Sequence, residues 1–81
     1  MKKILVQNYV QRETAECPDP EKCFVYLFTS GGSLISRGPA SLDFQGEFLV
    51  MQNVVANGNL KLPEIIVSYD HIASVSVYQS S

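Results

Sequence analysis

Apolar residues occur in short runs that predict a chain made mostly of β-strands. From Phe24 to Phe28 every position is apolar or aromatic, as in a strand covered on both faces. Residues Ser33 to Arg37 form the next predicted strand, Glu47 to Ala56 the longest, and Ile65 to Ser68 and Ile72 to Tyr78 the last two. Five short strands joined by tight turns are typical of a small, strongly bent SH3-like or OB-like barrel, so we predict an all-β fold.

Turn-forming residues separate these strands. Thr29 to Gly32 ends in paired glycines, which accept the positive φ values of a tight hairpin. Gly38-Pro39 predicts a bulge or sharp bend, because proline cannot donate to a β-ladder. Leu42 to Gly46 and Asn57 to Asn59 are two further predicted turns.

Side-chain alternation predicts the two faces of the longest strand, because successive side chains of a strand point to opposite sides. This pattern assigns two sets of residues: Phe48, Val50 and Val54 to one face, and Leu49, Met51 and Val55 to the other.

The N-terminal part of the chain is less regular. Lys3 to Val10 alternates like a strand, but its apolar residues also occur four apart, so a strand and a short helix both fit. Glu13 to Lys22 is predicted to be a loop, since its prolines remove backbone donors. We therefore divide the one domain, residues 1–81, into an N-terminal element and loop at 1–23 and a barrel at 24–78.

Composition indicates an ordinary globular protein. The chain has 81 residues, of which 46% are hydrophobic and 17% charged. No apolar run approaches the roughly 18 residues that span a bilayer. The apolar run after Lys2 and Lys3 ends at Gln7, too early for a signal peptide. We expect an intracellular, cytoplasmic protein.

The cysteine pair indicates neither a metal site nor a certain disulfide. Cys17 and Cys23 are close enough in sequence to form a disulfide, but free thiols are expected in a reducing cytosol. No histidine lies near them, and tetrahedral zinc requires four ligands. A zinc site would therefore have to be shared between subunits. No cofactor is expected.

The charge balance limits how the chain could bind nucleic acid. Its net charge is -2, with only six Lys and Arg residues. Proteins that bind nucleic acid mainly by neutralising phosphates are usually basic. Binding would therefore have to be local, or repeated by symmetry.

The order of the elements resembles the Sm/LSm family, which includes bacterial Hfq. The resemblance covers about residues 24–78. The counterparts of its first motif are Val25 to Phe28, Gly31-Gly32, Gly38 and Asp43 to Val50, and those of its second are Ile65 to Val67, Ser68 to His71 and Ile72 to Val75. Gln45 stands where the family stacks a base on an aromatic ring, Glu47 where it usually has Asn, and Ser68 and Tyr69 where it has Arg and Gly.

The resemblance implies a homo-oligomeric ring of about five to seven subunits, in which the last two strands pair between neighbours. The implied subunit contacts are Ile65, Ile66, Val67, Ile72, Val75 and Val77. It also implies binding of single-stranded RNA, U-rich or A-rich, in RNA chaperoning or processing. The implied RNA-binding residues are Arg37, Asp43, Phe44, Gln45, Tyr69, Asp70 and His71.

Simpler interpretations of the same residues stay open. Asp43 to Gln45 fits a polar turn with Phe44 in the core, and Tyr69 to His71 fits a bend between two strands. The whole chain also fits a barrel that contacts proteins and binds no nucleic acid. No enzyme is expected, because His71 is the only histidine and no motif places a nucleophile beside it.

Overall fold

The computed structural model describes residues 1–80 as an N-terminal helix followed by one curled antiparallel sheet. The elements are α1 (Lys3–Ala15), β1 (Cys23–Thr29), β2 (Gly32–Arg37), β3 (Leu42–Phe44), β4 (Phe48–Ala56), β5 (Leu60–Ser68) and β6 (Ile72–Gln79). Single 3-10 turns occur at Pro20–Lys22, Pro39–Ser41 and Tyr69–His71. The predicted mainly-β, strongly bent barrel is confirmed as a half-barrel, with six strands rather than five because β3 is a separate short strand.

Strand β4 lies at the centre of the sheet. It pairs with β5 along one side, and on the other side with β3 near its start and β2 near its end. β2 then pairs with β1, and β1 with β6. Among the described residues the long edge strands are therefore β5, which pairs only with β4, and β6, which pairs only with β1, and the three-residue β3 also pairs only with β4.

The buried face of β4 changes halfway along the strand. Leu49 and Met51 point into the core before the change, and Val54 and Ala56 point into it afterwards. Between them Asn53 has a φ of 53°, in the left-handed region. A single residue in this conformation interrupts the two-residue alternation of a strand. Side chains at odd positions therefore face the core before Asn53, and side chains at even positions face it afterwards.

The predicted faces of β4 are therefore wrong in their second half. Val54 does not share a face with Phe48 and Val50, and Val55 does not share one with Leu49 and Met51. Opposite Asn53, the register places Pro63 of β5, which has no backbone N–H to donate.

Residues 3–10, which fit a strand or a helix, form the first part of α1. Val6 and Val10 are fully buried, and Thr14 continues the same face one turn later. Ile4 and Leu5 remain exposed, which explains why the apolar pattern was ambiguous. No helix within residues 1–80 has the length and apolar character needed to cross a bilayer.

Three predicted boundaries shift. The predicted loop from residue 13 is wrong at its start, since α1 continues to Ala15. The predicted turn at Leu42 to Gly46 is wrong in its first half, which pairs with β4 as β3. Strand β5 begins at Leu60 rather than Ile65, so it equals β4 in length at nine residues.

The bend at Gly38-Pro39 is present. Gly38 has a φ of 59° and donates its backbone N–H to the carbonyl oxygen of Cys23, 2.6 Å away. The bend turns the chain from β2 into β3, so that both strands can pair with the same side of β4.

Cys17 and Cys23 form a disulfide in the structure, contrary to the expectation of free thiols. Their Cα atoms are 6.1 Å apart, and the bond fastens the segment after α1 to the first residue of β1. Cys23 is fully buried. The helix is thus attached to the sheet covalently as well as by packing.

Candidate functional site

Two of the predicted RNA-binding segments meet at one end of the sheet. Tyr69 begins the 3-10 turn between β5 and β6, and its hydroxyl donates to the backbone carbonyl oxygen of Gln45 at 2.7 Å. Gln45 in turn donates its side-chain amide to Asp43 at 2.6 Å. The contact arises because β4 and β5 pair in a register that places Phe48 opposite Ser68.

We call the segment Tyr69–His71 the Tyr69 turn. Tyr69 is only 5% exposed, so its ring fills the core instead of offering a stacking surface. Burial, and secondarily the negative charge of Asp43, raises the pKa of the phenol above its ordinary value of 10.0. The hydroxyl therefore stays protonated at neutral pH and acts as a fixed donor that holds the β3–β4 turn.

The exposed members of the Tyr69 turn are Asp70 and His71. The His71 Nδ1 lies 3.1 Å from the hydroxyl of Ser30, and the Ser30 N–H donates to the His71 carbonyl oxygen at 3.0 Å. His71 thereby connects the turn to the β1–β2 hairpin. The contact with Ser30 fixes the orientation of the imidazole ring, which is exposed and can form a hydrogen bond with a ligand.

Charged side chains surround a cleft beside the Tyr69 turn. Lys2 and Lys3 line it from the helix side, and Glu47 and Asp70 from the sheet side. The amino group of Met1 donates to the carbonyl oxygens of Tyr69 and Ile72, at 2.9 and 3.0 Å. The mixed charges do not form a basic surface. No group of three or more His, Cys, Asp or Glu within residues 1–80 could hold a metal ion.

Phe44 and Arg37 have different surroundings from the other predicted RNA-binding residues. Phe44 packs against the core from β3, so its ring is only partly accessible. Arg37 lines another cleft, where its guanidinium pairs with Glu21 at 3.1 Å and lies 5.6 Å from the ring centre of Phe24. The structure therefore brings Asp43, Gln45 and the Tyr69 turn together and separates Arg37 from them.

The Arg37 cleft contains residues that sequence reasoning did not select. Gln52 and Asn53 line it from β4, and Ile35 from β2. Their proximity to Phe24 depends on strand register, which periodicity does not reveal. The one available signal is Asn53, a residue type that tolerates the left-handed conformation inside an apolar strand.

The predicted subunit-contact residues fall into two groups. Val67 and Ile72 are buried in the chain's own core. Ile66 is 62% exposed, and the remaining three, Ile65, Val75 and Val77, are half-buried. At Val67 and Ile72 only the backbone could take part in pairing between copies.

The two outer strands differ in how much of their outer side is covered. In β5 the portion after Pro63, residues 64–68, carries the exposed Ile66. In β6 the N–H of Val77 donates to the hydroxyl of Tyr9 at 3.4 Å, so α1 covers this end and the open portion precedes Val77.

No protein-family model, curated protein or solved structure matches the chain significantly.

Proposed function

We propose that the chain is an Sm-like subunit that forms a homo-oligomeric ring and binds single-stranded RNA, without catalysis, in RNA chaperoning or processing. One observation carries the proposal. A helix precedes a single curled sheet whose outer strands, β5 and β6, have no partner on their outer sides within residues 1–80.

Pairing between copies would satisfy both outer strands. Exposed edges present unpaired N–H and C=O groups and favour association with another chain. If β5 of one copy pairs with β6 of the next, repetition around an axis gives both strands a partner in every copy. Ile66, exposed in the portion of β5 after Pro63, supplies apolar surface for such a contact.

A ring would also compensate for the low positive charge. The polar side chains of Gln45, Asp70 and His71 would recur in every copy, and avidity multiplies weak contacts with one RNA strand. The buried Tyr69 holds Gln45 and the turn in a fixed relation. Hydrogen bonding to unpaired bases, rather than stacking, is the mode that these side chains support.

Oligomeric state is the first test. Light scattering after size exclusion should give a mass several times that of one chain. Ile66→Lys places a charge beside the β5 edge and should give a monomer. Ile4→Lys is the matched control, because Ile4 is similarly exposed, at 57%, but lies on α1. A wild-type monomer at micromolar concentration would contradict the ring.

RNA binding is the second test, with labelled oligo-U and oligo-A at low salt, where electrostatic contacts are strongest. Gln45→Ala and His71→Ala should weaken binding, while Gln7→Ala on α1 should not. Equal binding by all these proteins would remove the Tyr69 turn from the proposed site.

A second candidate function is a barrel subunit that binds a protein instead of RNA. The acidic side chains of Asp43, Glu47 and Asp70 around the Tyr69 turn favour it, because they repel phosphates. A stable ring that binds neither oligonucleotide at low salt would support this function.

A further inference from the structure

We propose that the Arg37 cleft is a separate binding site for a nucleotide, either free or as one unit of a nucleic-acid strand. Its residues all come from one chain and lie away from the outer sides of β5 and β6. The inference therefore does not depend on ring formation.

A stack of flat side chains supports one wall of the cleft, and Phe24 and Arg37 are its lining members. The register places Phe24 between Tyr78 of β6 and Arg37 of β2. The rings of Phe24 and Tyr78 are 5.5 Å apart and inclined by 19°, and the Arg37 guanidinium lies 5.6 Å from the Phe24 ring centre. Because both faces of the Phe24 ring are covered, the guanidinium plane of Arg37, at the end of the stack, is the surface on which an unpaired base can stack.

The opposite wall carries amides. Gln52 and Asn53 are both exposed, because the kink in β4 turns two successive side chains away from the core. Each amide offers a donor and an acceptor, which suits the edge of a base. Asn53 adopts its left-handed conformation here, and unusual backbone conformations of this kind cluster at ligand sites.

Buried hydroxyls hold the two walls together. Ser36 is almost completely buried, and its hydroxyl donates to the backbone carbonyl oxygen of Gln52 at 2.9 Å. The hydroxyl of Ser41, in the 3-10 turn after β2, contacts that of Ser36. The spacing between β2 and the kink of β4 is thus fixed before any ligand arrives.

The guanidinium of Arg37 is available to a phosphate. Its partner, Glu21, has a side chain that is 79% exposed, so the ion pair is weak and exchangeable. A phosphate can accept two parallel hydrogen bonds from one guanidinium and would replace the carboxylate. The cleft volume of about 560 Å³ falls in the range of about 300 to 1,000 Å³ that small-ligand pockets occupy.

Titrations with AMP, adenosine and inorganic phosphate, followed by calorimetry or NMR at low salt, test the site. AMP should bind saturably and more tightly than either of the other two probes. Arg37→Ala should weaken AMP binding about tenfold, as expected for loss of a charge-assisted contact. Absence of saturable AMP binding, or equal competition by inorganic phosphate, would overturn the proposal.

Arg12 provides a closely matched control. It also pairs with a glutamate, Glu13, at 3.1 Å, and also lies over an aromatic ring, Tyr9, at 5.5 Å. Arg12→Ala removes the same chemistry from α1 and should leave AMP binding unchanged. Equal losses in the two arginine variants would show general charge attraction instead of a site.

Removal of the Glu21 carboxylate, which competes with phosphate for Arg37, should strengthen AMP binding instead of weakening it. Glu21→Gln should tighten AMP binding by about threefold, because the phosphate no longer displaces a charged partner, and should leave adenosine unaffected. Glu13→Gln is the control. Weaker AMP binding by Glu21→Gln would contradict the exchange of Glu21 for phosphate.

The Ile66→Lys variant tests whether this site is independent of the ring. It also tests whether the ligand is a free nucleotide or one unit of a strand. AMP binding should persist in a monomeric variant. If the ligand is a strand, oligo-A should bind the wild type more tightly than AMP does and lose that advantage in the monomer. Failure of the ring alone leaves AMP binding intact, and failure of this site leaves the oligomer intact.

Phe24→Leu should weaken AMP binding, whereas Phe28→Leu, on the same face of β1, should not.

Discussion

The Tyr69 turn and the Arg37 cleft both combine an aromatic ring with nearby charges, but they use the ring in opposite ways. Tyr69 is buried, and its hydroxyl is committed to the backbone of Gln45. Phe24 lies under an exposed guanidinium and beside Tyr78, at the surface. The first ring positions other residues from within the core, and the second supports a guanidinium at the surface.

This difference shows why residue type alone does not identify a ligand site. In sequence, Tyr69-Asp70-His71 has the composition of a binding motif, whereas Phe24 belongs to an apolar strand. Burial gives the two rings different roles, because Tyr69 lies in the core and Phe24 is only half-buried. A series of substitutions with decreasing expected effects tests this difference, and each is measured by urea denaturation at one protein concentration, since assembly would contribute to stability.

Replacement of Tyr69 by alanine should have the largest effect. Tyr69→Ala removes a buried ring and should lower the free energy of unfolding by about 3 to 5 kcal/mol. Phe24→Ala, which removes a half-buried ring, should cost about 1 to 2 kcal/mol. Equal losses would mean that the two rings do not differ in role.

Loss of the disulfide should come next and should affect the Arg37 cleft more than the Tyr69 turn. Cys23 directly precedes Phe24, and Glu21 lies within the loop that the bond closes. Cys17→Ser should cost about 2 kcal/mol, as expected for a short closed loop. Hydrogen exchange should increase first in residues 17–23. Faster exchange at Tyr69 instead would contradict this assignment.

Removal of the Tyr69 hydroxyl should have a moderate effect. Tyr69→Phe keeps the ring but leaves the Gln45 carbonyl without its donor, at a cost of about 1 kcal/mol. Tyr26→Phe, on the outer face of β1, is the matched control and should be neutral. A neutral Tyr69→Phe would show that the hydrogen bond contributes nothing to stability.

The variants Tyr69→Phe and Tyr26→Phe also test how the stability of the protein depends on pH. The folded-state pKa of Tyr69 is raised above the unfolded value of 10.0, so the phenol's stabilisation is complete below that pH and is lost as pH rises through the folded pKa. Wild type and Tyr26→Phe should lose stability in this range more steeply than Tyr69→Phe. Identical slopes would exclude Tyr69 as the cause.

The two arginines should give the smallest effects. Arg37→Ala and Arg12→Ala each remove an exposed ion pair and should change stability by less than about 0.5 kcal/mol. A larger loss in Arg37→Ala alone would indicate a structural role for the cleft residue, which contradicts its assignment to ligand binding.

Much of the sheet follows from the sequence, because alternation and turn residues act locally. The strands at residues 24–28, 33–37 and 72–78, and the turns at 29–32 and 57–59, are confirmed within a residue or two. The faces of β4 were not predictable from alternation, since the left-handed conformation of Asn53 interrupts the two-residue period in the middle of the strand. The helix at 3–15 was ambiguous because two of its apolar residues face outward.

The candidate sites depend on contacts between distant parts of the chain. Tyr69 and Gln45 are 24 positions apart, and the pairing of Phe24 with Arg37 depends on the length of the β1–β2 hairpin. The Sm/LSm resemblance selected Arg37 and Tyr69 as candidates, but only strand register separates them into two places and adds Phe24, Gln52 and Asn53.

The kink in β4 has a geometric consequence beyond the choice of buried residues. Pro63 of β5 lies opposite Asn53 of β4 and has no backbone N–H to donate, so the pairing of β4 with β5 is interrupted there and the two strands can bend together. The angle of that bend fixes how far the outer side of β5 is rotated from the outer side of β6. In a closed ring, this rotation would set the number of copies that complete the circle.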